Sequence, residues 1–241
     1  MSYKLKKIYA NNKNVGGKRK SSDIKYIVIH YTANKGDTAV NNGNYFKNNA
    51  VTASAHYFVD NTTVVKSVKD LIVAWSVGGN KYPSAVQTGG GKFYGKCTNA
   101  NSISIEMCNA IDNVPAETFA NTIKLTRNLM KKYNIDSNHV IRHFDVTGKI
   151  CPKSFVDNDD PWLEFKSNLN LPITVKTTKK GVYVRDKAGA GYKKLGALKK
   201  GSKCIINRIK VINGTYYGHR KKAQNWIRLN NTTYKNRFSQ L

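Results

Sequence analysis

The segment Arg142-His143-Phe144-Asp145-Val146-Thr147-Gly148-Lys149-Ile150-Cys151-Pro152 places an imidazole, an ammonium and a thiol within ten residues. Histidine and cysteine are preferred zinc ligands, and loops held by a rigid scaffold are where catalytic groups sit. His143 and Cys151 are two ligands, and a catalytic site needs a third. Tyr26-Ile27-Val28-Ile29-His30-Tyr31 reads as a buried strand, short and β-branched, which would carry His30 near its C-terminal end. His30, His143 and Cys151 together make a His₂Cys set with a fourth position open to water. This is the pattern of a catalytic rather than a structural zinc ion, and such an ion brings the pKa of its water towards about 7. A hydrolase also needs a base. In Ser102-Ile103-Ser104-Ile105-Glu106-Met107, alternation sets Glu106 on the face opposite Ile103, Ile105 and Met107. A lone carboxylate on so apolar a strand is costly unless something pairs with it. Beside a metal-activated water it has a partner and a use as general base. Lys149, two residues before Cys151, can offer its charge to the oxyanion formed when water adds to an amide carbon.

Several elements must bring these groups together. The loop Thr32-Ala33-Asn34-Lys35-Gly36 follows the His30 strand. His56–Asp60 and Thr63–Val68 read as a hairpin. Residues 78–95 are loop-rich around Gly89-Gly90-Gly91. Pro115 to Tyr133 has helical periodicity, with Phe119, Ile123, Thr126, Met130 and Tyr133 along one stripe. Strands of mixed direction with helices packed on them predict an α/β domain.

The segments Tyr26–His30, Ser54-Ala55-His56-Tyr57-Phe58-Val59-Asp60, Ala74-Trp75-Ser76-Val77-Gly78-Gly79, Ser104-Ile105-Glu106 and Arg142–Pro152, in this order, resemble the zinc-dependent N-acetylmuramoyl-L-alanine amidases. More narrowly they resemble the amidase-2 family, related to peptidoglycan recognition proteins and common in phage endolysins. The resemblance covers roughly the first two-thirds of the chain. It implies a mixed central β-sheet flanked by helices, with Zn2+ held by His30, His143 and Cys151. It also implies Glu106 as catalytic carboxylate and Lys149 as the transition-state lysine. Some relatives carry a tyrosine just before the His56 position. Here that residue is Ala55, so the water-orienting role falls to Glu106. His56 becomes a groove or supporting residue, and Trp75 a stacking surface. Asn34 joins these two as a substrate contact. The implied reaction is hydrolysis of the amide between the lactyl group of N-acetylmuramic acid and L-alanine of the stem peptide.

Net charge is +27, with 41 basic residues against 14 acids. From Ile173 onward 18 basic residues face a single acid, Asp186. Such a field suits a polyanionic partner, either peptidoglycan with its anionic wall polymers or nucleic acid. The stretch Lys180–Asp186 and Tyr192–Gly201, with Cys204–Ile206 and Trp226–Leu229, alternates turns with short apolar runs, as a small β-barrel does. Its wording resembles bacterial SH3 domains attached to wall hydrolases, with Tyr216 to Lys222 as a basic insertion. The expected layout is therefore a catalytic domain over 1–165, a linker over 166–175 and an SH3-like wall-binding barrel over 176–241. The four cysteines form no CxxC pair. Cys108 and Cys204 read as packing residues, and a Cys97–Cys108 bridge stays open. Met1–Asn14 holds lysines but no apolar h-region, and no apolar run approaches a membrane span. An endolysin-like protein, made in a host cytoplasm and acting on the wall after release, has these features. Two other classes compete. A non-catalytic recognition module would typically lack a zinc ligand such as Cys151. A basic nucleic-acid binder would explain the charge but not the His/His/Cys/Glu set.

Overall fold

The computed structural model describes residues 3–111 and 113–235. The chain divides into two compact units, Met1–Asp157 and Asn158–Leu241.

In the first unit the strands are β1 (Lys4–Lys7), β2 (Val15–Lys18), β3 (Tyr26–Tyr31), β4 (Tyr57–Val59), β5 (Thr63–Lys66), β6 (Ile72–Ala74), β7 (Ser102–Met107) and β8 (Val140–Arg142). The helices are α1 (Ala39–Asn48), α2 (Ala85–Thr88), α3 (Ala116–Tyr133) and α4 (His143–Thr147). A mixed sheet runs β1-β5-β4-β7-β3-β8, while β2 and β6 form a separate two-stranded ribbon. Strands β4, β7, β3 and β8 are mutually parallel, and β4 and β5 form the expected antiparallel hairpin. Parallel strands are covered on both faces. Accordingly all of β7 except Glu106 is buried, serines included.

The covering helices lie on opposite faces of the sheet. On β4, Phe58 stacks on Phe46 of α1, while the Tyr57 hydroxyl donates to Asp70, which also accepts from Tyr133 of α3. Adjacent strand residues point to opposite sides, so α1 and α3 do too. The buried stripe of α3 is Thr118, Thr122, Leu125, Thr126 and Leu129. Phe119, Ile123, Met130 and Tyr133, expected to form it, are only half-buried and flank it. Burial here follows close approach of the small threonines to the sheet rather than side-chain hydrophobicity alone.

Two features of this unit were not apparent from residue type. Arg19 donates from Nε and Nη2 to the Asp70 carbonyl, and from Nη1 to the carbonyls of Asn99, Ala100 and Ser102. One guanidinium thereby joins the end of β2 to the start of β7, using a fork of donors that lysine lacks. Asp70 is buried and accepts from Tyr57, Tyr133, Lys66 and Lys132. Burial opposes its ionisation, but these donors outweigh it and hold the carboxyl well below the usual carboxylate range.

The second unit opens with α5 (Asp159–Leu169) and continues with β9 (Ile173–Lys176), β10 (Val182–Arg185), β11 (Lys194–Leu198), β12 (Lys203–Ile212), β13 (Thr215–Arg220) and β14 (Asn225–Arg228). Its sheet order is β11-β10-β14-β13-β12-β9, antiparallel throughout. A bridge from Thr177 to Thr232 curls the far edge back on the segment after β14. The core is built from Val175, Val182, Val184, Ile206, Ile209, Val211, Tyr216 and Ile227.

One expectation is corrected. Residues 166–175 are not a linker. They are the end of α5 and the start of β9, with Leu169, Leu171 and Val175 buried and the Asn168 side chain bonded in both directions to the Ile209 backbone. The apolar spacing of Trp162, Phe165 and Leu169 is a helical stripe hidden within a polar stretch. Tyr216 to Lys222, expected as a basic insertion, contributes Tyr216–Arg220 to β13, between β12 and β14, with Tyr216 in the core. The signal was Asn213-Gly214. Both residues take positive φ (48° and 68°), as a tight two-residue hairpin turn requires. Cys97 and Cys108 are free thiols in different core clusters, and Cys204 packs in the core of the second unit. No helix among the described residues is long and apolar enough to cross a membrane.

Candidate functional site

Strand register sets the first contact. Parallel pairing places His30 of β3 directly opposite Glu106 of β7, and Glu106 opposite Phe58 of β4. Opposed residues share a face, so His30 and Glu106 emerge together near the C-terminal ends of parallel strands, where ligand sites of such sheets lie. His30 Nδ1 stands 3.8 Å from Glu106 Oε1.

His143 arrives from the next strand. It is the first residue of α4, immediately after β8, and its ring centroid is 4.7 Å from that of His30. Its neighbours in the chain fix this turn. The Arg142 backbone N–H donates to Asp145 Oδ2 at 2.7 Å, its guanidinium pairs with Asp145 Oδ1 at 2.8 Å, and its Nη1 donates to the Phe155 carbonyl at 2.6 Å. The Cys151 carbonyl accepts from the Phe144 N–H at 3.0 Å, which folds the 148–151 turn back over α4. The Cys151 Sγ then lies 3.9 Å from His30 Nδ1.

The ligand atoms of His30, His143 and Cys151, all three buried, fall within 4.8 Å of one another. That spread is somewhat wider than the edge of a tetrahedron built on bonds of about 2.0–2.3 Å, so a small inward shift would seat one zinc-sized ion. The local chemistry fits such an ion. Burial, reinforced by Lys149, lowers His143 to about 4. Burial, then the charges of His143, Lys149 and His56, holds His30 well below its ordinary value. Both rings are therefore neutral and able to donate a lone pair. Burial and the Glu106 charge push the Cys151 thiol up to about 12, so its proton leaves only when a cation replaces it. Two buried atoms, His30 Nε2 and Glu106 Oε2, lack a hydrogen-bond partner among the described residues. A cation and its water would satisfy such orphans.

Glu106 is only 18% exposed. Burial raises its pKa to about 7, with Lys149 pulling the other way and Asp37 adding to the rise. A carboxyl poised there can take and return a proton near neutrality. Asp37 is itself held in place by the Asn109 N–H and the Asn42 amide.

A groove of about 580 Å³ reaches the cluster at His143 and Lys149, with Trp75, Asn80, Lys81 and Tyr82 among its other lining residues. Trp75 and Lys149, expected as stacking surface and transition-state lysine, both line this groove. Glu106, His30 and Cys151 are not part of the lining and adjoin it through His143. Two expected contacts do not reach the groove. His56 is buried beneath the sheet surface, its Nε2 2.8 Å from Arg19 and 3.1 Å from the Ile72 carbonyl and its Nδ1 3.1 Å from Ser104. Burial and Arg19 lower it to about 3, so it is a neutral packing residue. Asn34 is exposed in the loop after β3, away from the groove lining.

Sequence reasoning missed the residues that shape the groove. Asn99 Oδ1 accepts from the N–H groups of Ser76 and Val77, fixing the segment after Trp75. The opposite wall, residues 81–93, is tied to the turn that carries His143 and Lys149 by Tyr82 N–H to Thr147, Gly91 N–H to Phe144 and Phe93 N–H to Asp145. At this contact a Cβ on Gly148 would meet Ala85 Cβ at 2.5 Å, and one on Gly90 would meet Gly148 Cα at 2.8 Å. The glycine run was the available signal, but its partner segment was not legible.

Comparison with known proteins agrees with this fold. Residues 20–154 match the family model for N-acetylmuramoyl-L-alanine amidase. The chain is 32% identical over 169 residues to the N-acetylmuramoyl-L-alanine amidase CwlL of Bacillus licheniformis, covering 67% of this chain and 45% of that protein. It thus spans a little under half the length of the first curated relatives it matches. A mutant endolysin from Bacillus subtilis superposes with a TM-score of 0.56 at 27% identity, covering 70% of this chain and 100% of that one. The catalytic domain of XlyA superposes at 0.55 with 28% identity, covering 69% and 99% respectively. With its family match running through every element that carries the His/His/Cys/Glu cluster, the chain belongs to the N-acetylmuramoyl-L-alanine amidase family.

Proposed function

We propose that this protein is a zinc-dependent peptidoglycan hydrolase that cleaves the amide between N-acetylmuramic acid and L-alanine of the stem peptide. The observation that carries the reading is the convergence of His30, His143 and Cys151 within 4.8 Å, beside a half-buried carboxylate paired in register with His30. Held by His30, His143 and Cys151, zinc would supply Lewis acidity to the scissile carbonyl and its water. The remaining chemistry belongs to side chains. Glu106 takes a proton from the attacking water and returns it to the amine nitrogen of the leaving L-alanine. The Lys149 ammonium faces the carbonyl oxygen and stabilises the charge that develops there. Trp75 offers a flat apolar surface along the groove to sugar or peptide. In this reading the second unit is an SH3-like wall-binding domain, and the enzyme acts on the wall after release from the cell that makes it.

The test is digestion of purified peptidoglycan with and without chelator, with new chain ends identified by mass spectrometry. Free stem peptides beginning in L-alanine, lost on chelation and regained with zinc, would support the reading. Cleavage at any other bond, or activity that survives complete metal removal, would overturn it.

A further inference from the structure

The outward face of β10 and β11 in the second unit is built against its own stability. Val182 and Val184 point into the core, so Tyr183 and Arg185 point out. Arg185 stands directly opposite Lys194 of β11, and like charges so placed repel. Among the described residues neither cation has an acidic partner. Asp186, the lone acid from Ile173 onward, pairs with neither of them. The cations gather instead over rings. Lys194 Nζ lies 4.2 Å and the Arg185 guanidinium carbon 5.7 Å from the Tyr183 ring centre. Lys187 Nζ lies 5.6 Å from the Tyr192 ring centre, and Arg185 Nη1 donates to the Tyr192 carbonyl, which folds that tyrosine towards the patch. Both tyrosines remain open, Tyr183 at 50% and Tyr192 at 46% exposure. The same face carries on inward, since Arg185 also opposes Trp226 of β14, whose ring is capped by Arg208 at 4.8 Å.

Unpaired cations stacked on half-exposed rings, along a sheet edge and with no counter-charge, form a surface complementary to a flexible chain of phosphates with apolar spacers. We propose that this face, centred on Tyr183, Arg185, Lys187, Tyr192 and Lys194, docks a polyol-phosphate polymer of the bacterial wall. Phosphates bridge Arg185 and Lys194 and so relieve their repulsion, while the polyol carbons lie against the tyrosines. The choice of a wall polymer rests on the peptidoglycan-directed function proposed above.

The experiment measures binding of the full chain to native walls and to walls stripped of phosphate polymers with hydrofluoric acid, across a salt series. Binding to stripped walls should be at least tenfold weaker, and binding to native walls should fall steeply with salt. The double variant R185Q/K194Q should bind native walls as weakly as wild type binds stripped ones. K199Q/K200Q, which removes the same charge at the turn after β11, should bind as wild type does. Equal wild-type binding to both wall preparations would overturn the proposal. So would equal weakening by the two double variants, which would assign the effect to total charge. Displacement by duplex DNA as efficient as by soluble poly(glycerol phosphate), at equal phosphate concentration, would also overturn it. Should R185Q/K194Q fail to fold by its thermal transition, the stripped-wall and competition arms still decide. Peptide release from soluble muropeptides, read in parallel, should be the same for all three proteins. Its absence in wild type would count against the amidase reading and leave the docking result standing.

Discussion

His30 and Glu106 are directly opposed residues of neighbouring parallel strands, with His30 Nδ1 3.8 Å from the Glu106 carboxylate. Strand pairing alone therefore sets the His30 imidazole and the Glu106 carboxyl side by side, both on strands rather than on loops. His143 and Cys151 are then delivered by a turn braced by Arg142 and Asp145.

Glu106→Gln keeps the shape of the side chain and removes its proton affinity. Turnover of peptidoglycan should fall by about 10²–10⁴-fold, the range for loss of a positioned acid–base group. Bound zinc, measured by elemental analysis, should remain near one per chain. A variant retaining near wild-type turnover would assign the base to another group.

Cys151→Ala removes the sulfur from the three-ligand cluster. Zinc content and activity should both collapse. In the wild-type protein, chelation should lower the thermal midpoint, because an ion that binds only the folded chain stabilises it by mass action. Scanning calorimetry with and without chelator, on wild type and variant, checks this. Chelation should leave the midpoint of the variant unmoved.

Asp70→Asn strips the charge from a buried carboxylate held by two lysines and two tyrosines. The expected loss is about 2–4 kcal/mol at neutral pH. The folded pKa of Asp70 is depressed, so its contribution is complete above the unfolded value of about 4 and is lost as pH falls through the folded one. Denaturant unfolding at pH 7 and pH 3 should therefore show the gap between wild type and variant narrowing in acid. A gap that widened would contradict the assignment.

Gly148→Ala places a methyl where Ala85 Cβ stands 2.5 Å away, at a φ of +84° that side-chain-bearing residues rarely adopt. The groove wall must move away from the catalytic turn, and Lys149 with it. The kcat/KM on muropeptides should fall by about tenfold or more, since displacement of a positioned group by about 1 Å can change rate by two orders of magnitude. Zinc content should hold, because His30, His143 and Cys151 are anchored by other bonds.

What the sequence by itself determined about this protein is the part written in short-range pattern. The strand Tyr26–Tyr31, the hairpin at 57–66 and the helix ending at Tyr133 follow from residue type and spacing, and the candidate cluster of His30, His143 and Cys151 is visible as a set of ligand-type residues. Backbone geometry is local, and a strand or helix announces itself within its own length. Tertiary structure decided what depends on distant partners. His56 looks like a site residue until Arg19 and Ser104 close on its ring. Arg19 looks like one surface cation among many until five backbone contacts gather on it. Tyr216 to Lys222 looks only like a basic insertion until the Asn213-Gly214 turn sets Tyr216–Arg220 as a strand between two others. Whether a polar or charged group is a ligand, a brace or a surface is set by which neighbours desolvate it and which donors or acceptors meet it. Those neighbours come from segments tens of residues away, brought together only by the fold.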